Sequence, residues 1–184
     1  MSSLNKSILD EITKHYNQII SEYDVLIESG TLGGETIINL YPHFRTLHTI
    51  EISEHYYKMF DNFKKEKNYH KVINHFGDTA QVLPQIIQSL SIRNKVVFWL
   101  DGHWSSGDTG KGEKDCPLIE ECLAIDKLYK SSKGLIIIDD YRLFGTHYAE
   151  DWSHITVETI TQCFKNHSIQ SFIKGDLFVL LIEK

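Results

Sequence analysis

Five short strand-like runs recur along the chain, and each ends on or just before an acidic residue that leads into a helical or glycine-rich stretch. They are Asp24-Val25-Leu26-Ile27-Glu28, Thr46 to Glu51, Val72 to Phe76, Val96 to Leu100 and Gly134 to Ile138. The fourth, Val-Val-Phe-Trp-Leu, is wholly apolar, the pattern of a strand covered on both faces of a parallel sheet. Strands alternating with helices in this way form a parallel sheet with helices on both sides. The chain closes differently. Ile169 to Lys174 and Leu177 to Ile182 flank a Gly175-Asp176 turn, so they read as a β-hairpin that makes the last strand antiparallel to its neighbour. The expected fold is α/β and Rossmann-like, a seven-stranded mostly parallel sheet with helices on both faces and an antiparallel C-terminal hairpin strand.

Helical spacing of Leu4, Ile8, Ile12, Tyr16 and Ile19 predicts an amphipathic helix from Leu4 to Ile20. Further helices are expected over Glu35 to Leu40, from Glu54 to Lys67 behind an N-cap at Ser53, and over Ala80 to Leu90. Another follows Asp115 as cap, with Pro117 in its first turn, and the last runs from Ser153 to Asn166. No repeat or linker interrupts the pattern. The 184 residues read as one domain, an N-terminal helix within 1–22 and a core over 23–184.

Composition narrows the function classes. The net charge is -6 and no Lys/Arg-rich tract runs along the chain, which argues against a nucleic-acid partner. No apolar run is long enough for a membrane span, and the N-terminus carries no secretory pattern, so a cytoplasmic protein is expected. Cys116, Cys122 and Cys163 form no CxxC pair, which points away from a disulfide framework and a zinc site.

In an open parallel sheet, ligands bind at the carboxyl ends of the strands. Here the first strand ends in Glu28-Ser29-Gly30-Thr31-Leu32-Gly33-Gly34, a turn whose glycines let a backbone approach a ligand closely. The second ends at Glu51, about 20 residues further on, where a carboxylate can accept from two ribose hydroxyls. Asp78, Asp101 and the pair Asp139-Asp140 stand at the next three tips. Leu32 occupies the place of the second glycine in a dinucleotide turn, the one that admits a pyrophosphate, which disfavours an NAD-linked oxidoreductase. No P-loop motif is present. A non-catalytic binding protein on the same fold is the other alternative, and a carboxylate kept at every tip argues against it.

With those residues in place, the chain resembles the class I S-adenosylmethionine-dependent methyltransferases from about Tyr23 to Lys184. The resemblance implies that Glu28, Gly30, Thr31, Gly33 and Gly34 lie beside the methionine part of the cofactor. It implies Glu51 at the ribose, Asp78 beside the adenine and Asp101 close by. A narrower resemblance is to the metal-dependent O-methyltransferases of the macrocin and catechol types. It implies that Asp101, Asp139 and Asp140 hold Mg²⁺, a hard cation that prefers carboxylate oxygens. Such a cation would lower the pKa of a substrate hydroxyl and orient it.

His103 stands where the macrocin-type enzymes carry an acidic base, and with Asp101 it is the candidate catalytic residue. Lys111, Arg142 and His147 are candidate substrate contacts, and the glycine-rich loop from Ser105 to Asp115 suits a lid. Trp99 and Trp152 read as packing residues. The expected substrate is a small hydroxylated metabolite or sugar. The chain is short for the macrocin type, which leaves specificity to that loop or to a second copy of the chain in a homodimer.

Overall fold

The structure is a computed structural model and describes residues 3–103, 110, 112, 114–147 and 150–184. Seven strands make one sheet: β1 (Val25–Ser29), β2 (Thr46–Glu51), β3 (Val72–Phe76), β4 (Val96–Leu100), β5 (Lys133–Ile138), β6 (Ser168–Lys174) and β7 (Leu177–Glu183). Their spatial order is β3-β2-β1-β4-β5-β7-β6. The first five run parallel, and β7 lies antiparallel between β5 and β6. The chain order reverses at β1 and β4, so their carboxyl ends open a crevice there, as in other doubly wound sheets.

Among the described residues, six α-helices cover the two faces: α1 (Lys6–His15), α2 (Glu35–Leu40), α3 (Glu54–Glu66), α4 (Thr79–Ser89), α5 (Leu118–Leu128) and α6 (Val157–Gln162). Alternate residues of the central strands face opposite cores, as the two-residue period of a strand requires. Ile27, Phe98, Ile136 and Leu180 pack with Leu83, Cys122 and Ile160 from α4, α5 and α6. Leu26, Trp99, Ile137 and Val179 pack with Leu9, Ile37 and Phe60 from α1, α2 and α3. Both tryptophans read as packing residues, Trp99 and Trp152, are fully buried.

Three helix boundaries differ from expectation. Asn17, at φ 54°, stops α1 short of Ile20, and a 3₁₀ turn over Ile20–Glu22 leads into β1. Asp115 does not cap α5. Pro117 occupies the N-cap position, and the helix starts at Leu118. The last helix is only Val157–Gln162, because Thr156 caps it by accepting from the Thr159 amide 3.1 Å away. A side chain that satisfies free amides fixes where a helix begins more firmly than apolar spacing does. No described helix is long and apolar enough to cross a membrane.

Candidate functional site

The turn after β1 folds as it does because two of its glycines have no substitute. Gly30 has φ +84°, and a Cβ there would stand 2.7 Å from the Asp101 carbonyl oxygen. Gly34 has φ +75°, and a Cβ would enter the Phe60 ring at 2.1 Å. Between them Leu32 also takes a left-handed conformation, at φ 44°, which is unfavourable for a branched side chain. Its amide donates to Glu51 Oε2 at 2.8 Å, and the Ser53 amide donates to Oε1 at 2.8 Å. Glu51 therefore locks the turn to the tip of β2 and still offers lone pairs to a ligand, since an ionised carboxylate has about four acceptor sites.

Glu28 sits deeper. Thr49 Oγ1 donates to its Oε2 at 2.6 Å, and Thr31 Oγ1 lies 2.6 Å from Thr49 Oγ1, so three side chains form a buried polar chain under the turn. Burial pushes the Glu28 carboxyl up to about 8, so it is largely neutral at pH 7. Asp78 caps α4 by accepting from the Ala80 amide at 2.9 Å. Gly112 packs so closely on it that a Cβ would fall 2.5 Å from Asp78 Oδ2.

These residues line one cavity of about 440 Å³. Its wall includes Glu28, Gly30, Thr31, Leu32, Gly33, Glu51, Asp78 and Asp101, with Ile52 and Tyr56 as apolar and aromatic surface. Glu35 and Asp115 add further acidic groups to the wall. Lys114, one of its cations, is paired with Glu120. All the cofactor-side residues read from the sequence meet here except Gly34, which stands behind the wall and shapes the turn.

The tips of β4 and β5 are built differently. His103 Nε2 lies 2.7 Å from Asp140 Oδ2, and its Nδ1 lies 2.7 Å from Glu150 Oε2. Trp152 Nε1 donates to the same Glu150 oxygen at 2.8 Å. Arg142 bonds both Asp140 and Asp176. Asp140 has φ 56°, a left-handed position that aspartate tolerates, and it accepts from a cation on each oxygen. Burial works against charge on His103. The hydrogen bond to Asp140 and the charges of Glu150 and Asp101 outweigh it and raise its pKa to about 9. Burial would also raise Asp140, but His103 and Arg142 hold it below the usual carboxylate range.

Asp101 and Asp139 contrast with Asp140. Burial, with the Asp139 charge adding, pushes Asp101 up to about 8. Burial likewise raises Asp139 to about 6. Asp139 is 2% exposed, and neither of its buried carboxylate oxygens has a hydrogen-bond partner. Asp101 Oδ1 is also buried without one. Such orphaned oxygens are costly and call for a cation or a donor. Among the described residues, two overlapping groups bring potential metal-ligating atoms within 4.8 Å of one another: Asp101, His103 and Asp140, and Asp139, Asp140 and Asp176. Asp101 and Asp139 fall in different groups, and their unpaired oxygens are the candidate cation ligands. Asp140 is already committed to His103 and Arg142.

Three of the expected residues are engaged elsewhere in the structure. His103 faces carboxylates through both ring nitrogens, so it holds a proton where a general base would need a free lone pair. Arg142 is tied to Asp140 and Asp176 and does not line the cavity. His147 has a 71% exposed side chain that pairs with Asp151 at 3.0 Å. It does not line the cavity. Lys111, Tyr148 and most of the Ser105–Asp115 loop lie outside the described residues. Glu150, Asp176 and Glu121 were missed. They come from a loop, a hairpin turn and the first turn of a helix, and no spacing in the sequence links any of them to a strand tip.

Strand order, reversed last strand and a cavity at the β1–β4 crevice define the fold of the class I methyltransferases. Solved structures of that class superpose over nearly the whole chain. An O-methyltransferase from Bacillus cereus, in complex with SAH, is 15% identical with a TM-score of 0.63, covering 99% of this chain and 83% of its own. The O-methyltransferase TomG from Streptomyces achromogenes, in complex with SAM, is 14% identical with a TM-score of 0.60, covering 100% and 91%. A putative caffeoyl-CoA O-methyltransferase from Staphylococcus aureus is 12% identical with a TM-score of 0.60, covering 100% and 86%. No protein-family model matches the sequence, and no curated protein matches it significantly. At these identities the likeness is one of fold.

Proposed function

We propose that the protein is an S-adenosylmethionine-dependent methyltransferase that acts on a hydroxyl oxygen of a small metabolite or sugar, with a divalent cation such as Mg²⁺. The observation that carries the reading is the carboxylate-rich cavity behind a glycine turn. Its volume of about 440 Å³ lies in the range of small-ligand sites. A cationic sulfonium suits such walls, and the neutral Glu28 accepts a nearby polar group without adding another charge. Glu51 accepts from the ribose hydroxyls, Asp78 from the adenine amino group, and Ile52 and Tyr56 give the base an apolar face. Leu32 lines the wall where a dinucleotide binder needs glycine.

The cofactor, when bound, supplies an electrophilic methyl group, so most of the rate comes from positioning the acceptor oxygen. Asp101, at the cavity wall with its unpaired Oδ1, is placed to take the hydroxyl proton in its ionised form, whose share grows as pH rises toward 8. His103 holds positive charge beside it, 3.8 Å from the same oxygen. Asp139 and Asp101 would hold the cation, which supplies Lewis acidity toward the acceptor. A screen of hydroxylated metabolites with methyl-labelled cofactor tests the reading. Label should appear as an ether, Mg²⁺ should stimulate transfer, and Asp139→Asn should remove the stimulation. Label on nitrogen or carbon alone would refute oxygen as acceptor, and turnover unaffected by EDTA would refute the cation.

A further inference from the structure

Ser3 lines the cavity, although it precedes the first helix and lies far in sequence from every strand tip. Three contacts hold the segment there. The Leu4 amide donates to Thr36 Oγ1 at 3.2 Å, and Asn39 Nδ2 donates to Ser3 Oγ at 3.4 Å. The Leu4 side chain is fully buried in the core that also holds Ile37 and Leu40 of α2. Asn5 then caps α1 by accepting from the Ile8 amide at 3.1 Å, which fixes where the segment ends. Both hydrogen-bonding side chains, Thr36 and Asn39, belong to α2. That helix opens directly behind Gly34, and its Glu35 and Thr36 line the cavity beside Gly33. Ser3 therefore stands at the glycine-turn end of the cavity, whereas Asp78 marks the β3 end, with β2 between β1 and β3.

We infer that Ser3 is a ligand contact at the amino-acid end of the cofactor, where its hydroxyl donates to the cofactor carboxylate. The inference rests on the proposed cofactor reading, in which Glu28, Gly30 and Gly33 flank the methionine part. That part carries an ammonium and a carboxylate. The acidic side chains Glu28 and Glu35 suit the ammonium. A carboxylate brought among them needs a donor of its own. The described cations of the wall are committed, His103 to Asp140 and Glu150, and Lys114 to Glu120. Among the described side chains, the hydroxyls of Thr31, Thr36 and Ser3 remain at this end. Thr31 is buried, and because Thr49 gives its proton to Glu28, Thr31 gives its own to Thr49. Thr36 is buried too, and its oxygen receives the Leu4 amide. Ser3 is half-buried. Its oxygen accepts from Asn39, which leaves its one proton to be given to a ligand.

The test compares two ligands by calorimetry at pH 7. S-adenosylhomocysteine carries the amino-acid end, and 5′-methylthioadenosine has the same adenosine and sulfur without it. Wild type should bind S-adenosylhomocysteine more tightly, by roughly tenfold or more. Ser3→Ala should weaken S-adenosylhomocysteine about tenfold, the effect of losing one hydrogen bond to a charged group, and leave 5′-methylthioadenosine within about twofold. Ser3→Thr keeps the hydroxyl and should recover affinity to within about threefold of wild type. The melting temperature of unliganded Ser3→Ala should stay within about 1 °C of wild type, because the change removes only a long contact with Asn39. Ser3→Ala that binds S-adenosylhomocysteine as tightly as wild type, or that weakens both ligands alike, would overturn the inference alone. So would wild type that binds the two ligands equally. Wild type that binds neither would overturn the cofactor reading beneath it.

Discussion

The two halves of the crevice are made by opposite means. On the β1–β3 side, backbone turns do the work: Gly30 and Gly34 allow close approach, Leu32 takes a strained conformation, and one carboxylate, Glu51, ties the amides together. The result is an open cavity. On the β4–β5 side, charged side chains interlock: His103 between Asp140 and Glu150, Arg142 between Asp140 and Asp176. The result is a filled network, buried at His103 and Asp140 and open to solvent at Arg142, with Asp139 and one oxygen of Asp101 left over. The difference teaches that the fold presents a shaped, general cofactor site on one side and a charge-balanced, individual site on the other.

The largest effect should come from breaking the network. His103→Ala leaves Asp140 and Glu150 facing each other without their bridge, and loss of one partner from a buried pair costs about 3–5 kcal/mol. Urea unfolding at pH 7 measures it; a loss under about 1 kcal/mol would mean that the network is a surface feature. Next comes Gly34→Ala on the other side. The added methyl meets the Phe60 ring and forces a left-handed alanine, worth about 1–3 kcal/mol. Gly33 is the control: nothing lies within 4 Å of its added Cβ, so Gly33→Ala should change stability by less than about 0.5 kcal/mol while weakening cofactor binding.

The pH profile sharpens the comparison further. Glu28 is neutral in the folded protein until about pH 8 but ionises near 4.5 when unfolded. Between those values the folded state binds the extra proton, so stability falls as pH rises through that window. Glu28→Gln should flatten part of that fall. His103 acts in the same direction at higher pH: its folded pKa is about 9 against 6.5 unfolded, so its stabilisation is full below 6.5 and lost as pH rises through 9. Thermal melts from pH 5 to 9.5 should show the Glu28 part lost first and the His103 part last. A wild-type melting temperature that rises over this range would contradict both.

How much the sequence revealed follows the same division. The sheet, its reversed last strand and the Glu28–Gly34 turn were legible because apolar period and glycine placement are local signals. Glu51 and Asp78 were legible because strand tips fall on one edge. The partners of His103 were not. Glu150 lies 47 residues away in a loop, and only the folded chain brings the two together. Arg142 and His147, expected at the substrate, pair with carboxylates, and proximity in sequence to the β5 tip says nothing about which carboxylate claims a cation. The end of α1 was set by a left-handed Asn17, and the start of α6 by Thr156, both stronger than apolar spacing.

The central claim is that the cavity behind the glycine turn takes an adenosyl cofactor on Glu51. Calorimetric titration of wild type and Glu51→Ala with S-adenosylhomocysteine at pH 6.5 tests it most directly. Wild type should bind with one site, and Glu51→Ala should bind about 100-fold more weakly while remaining folded by circular dichroism, a loss of about 2.7 kcal/mol for hydrogen bonds to a charged acceptor. Wild type that takes up no ligand, or a Glu51→Ala protein that binds as tightly as wild type, would contradict the account.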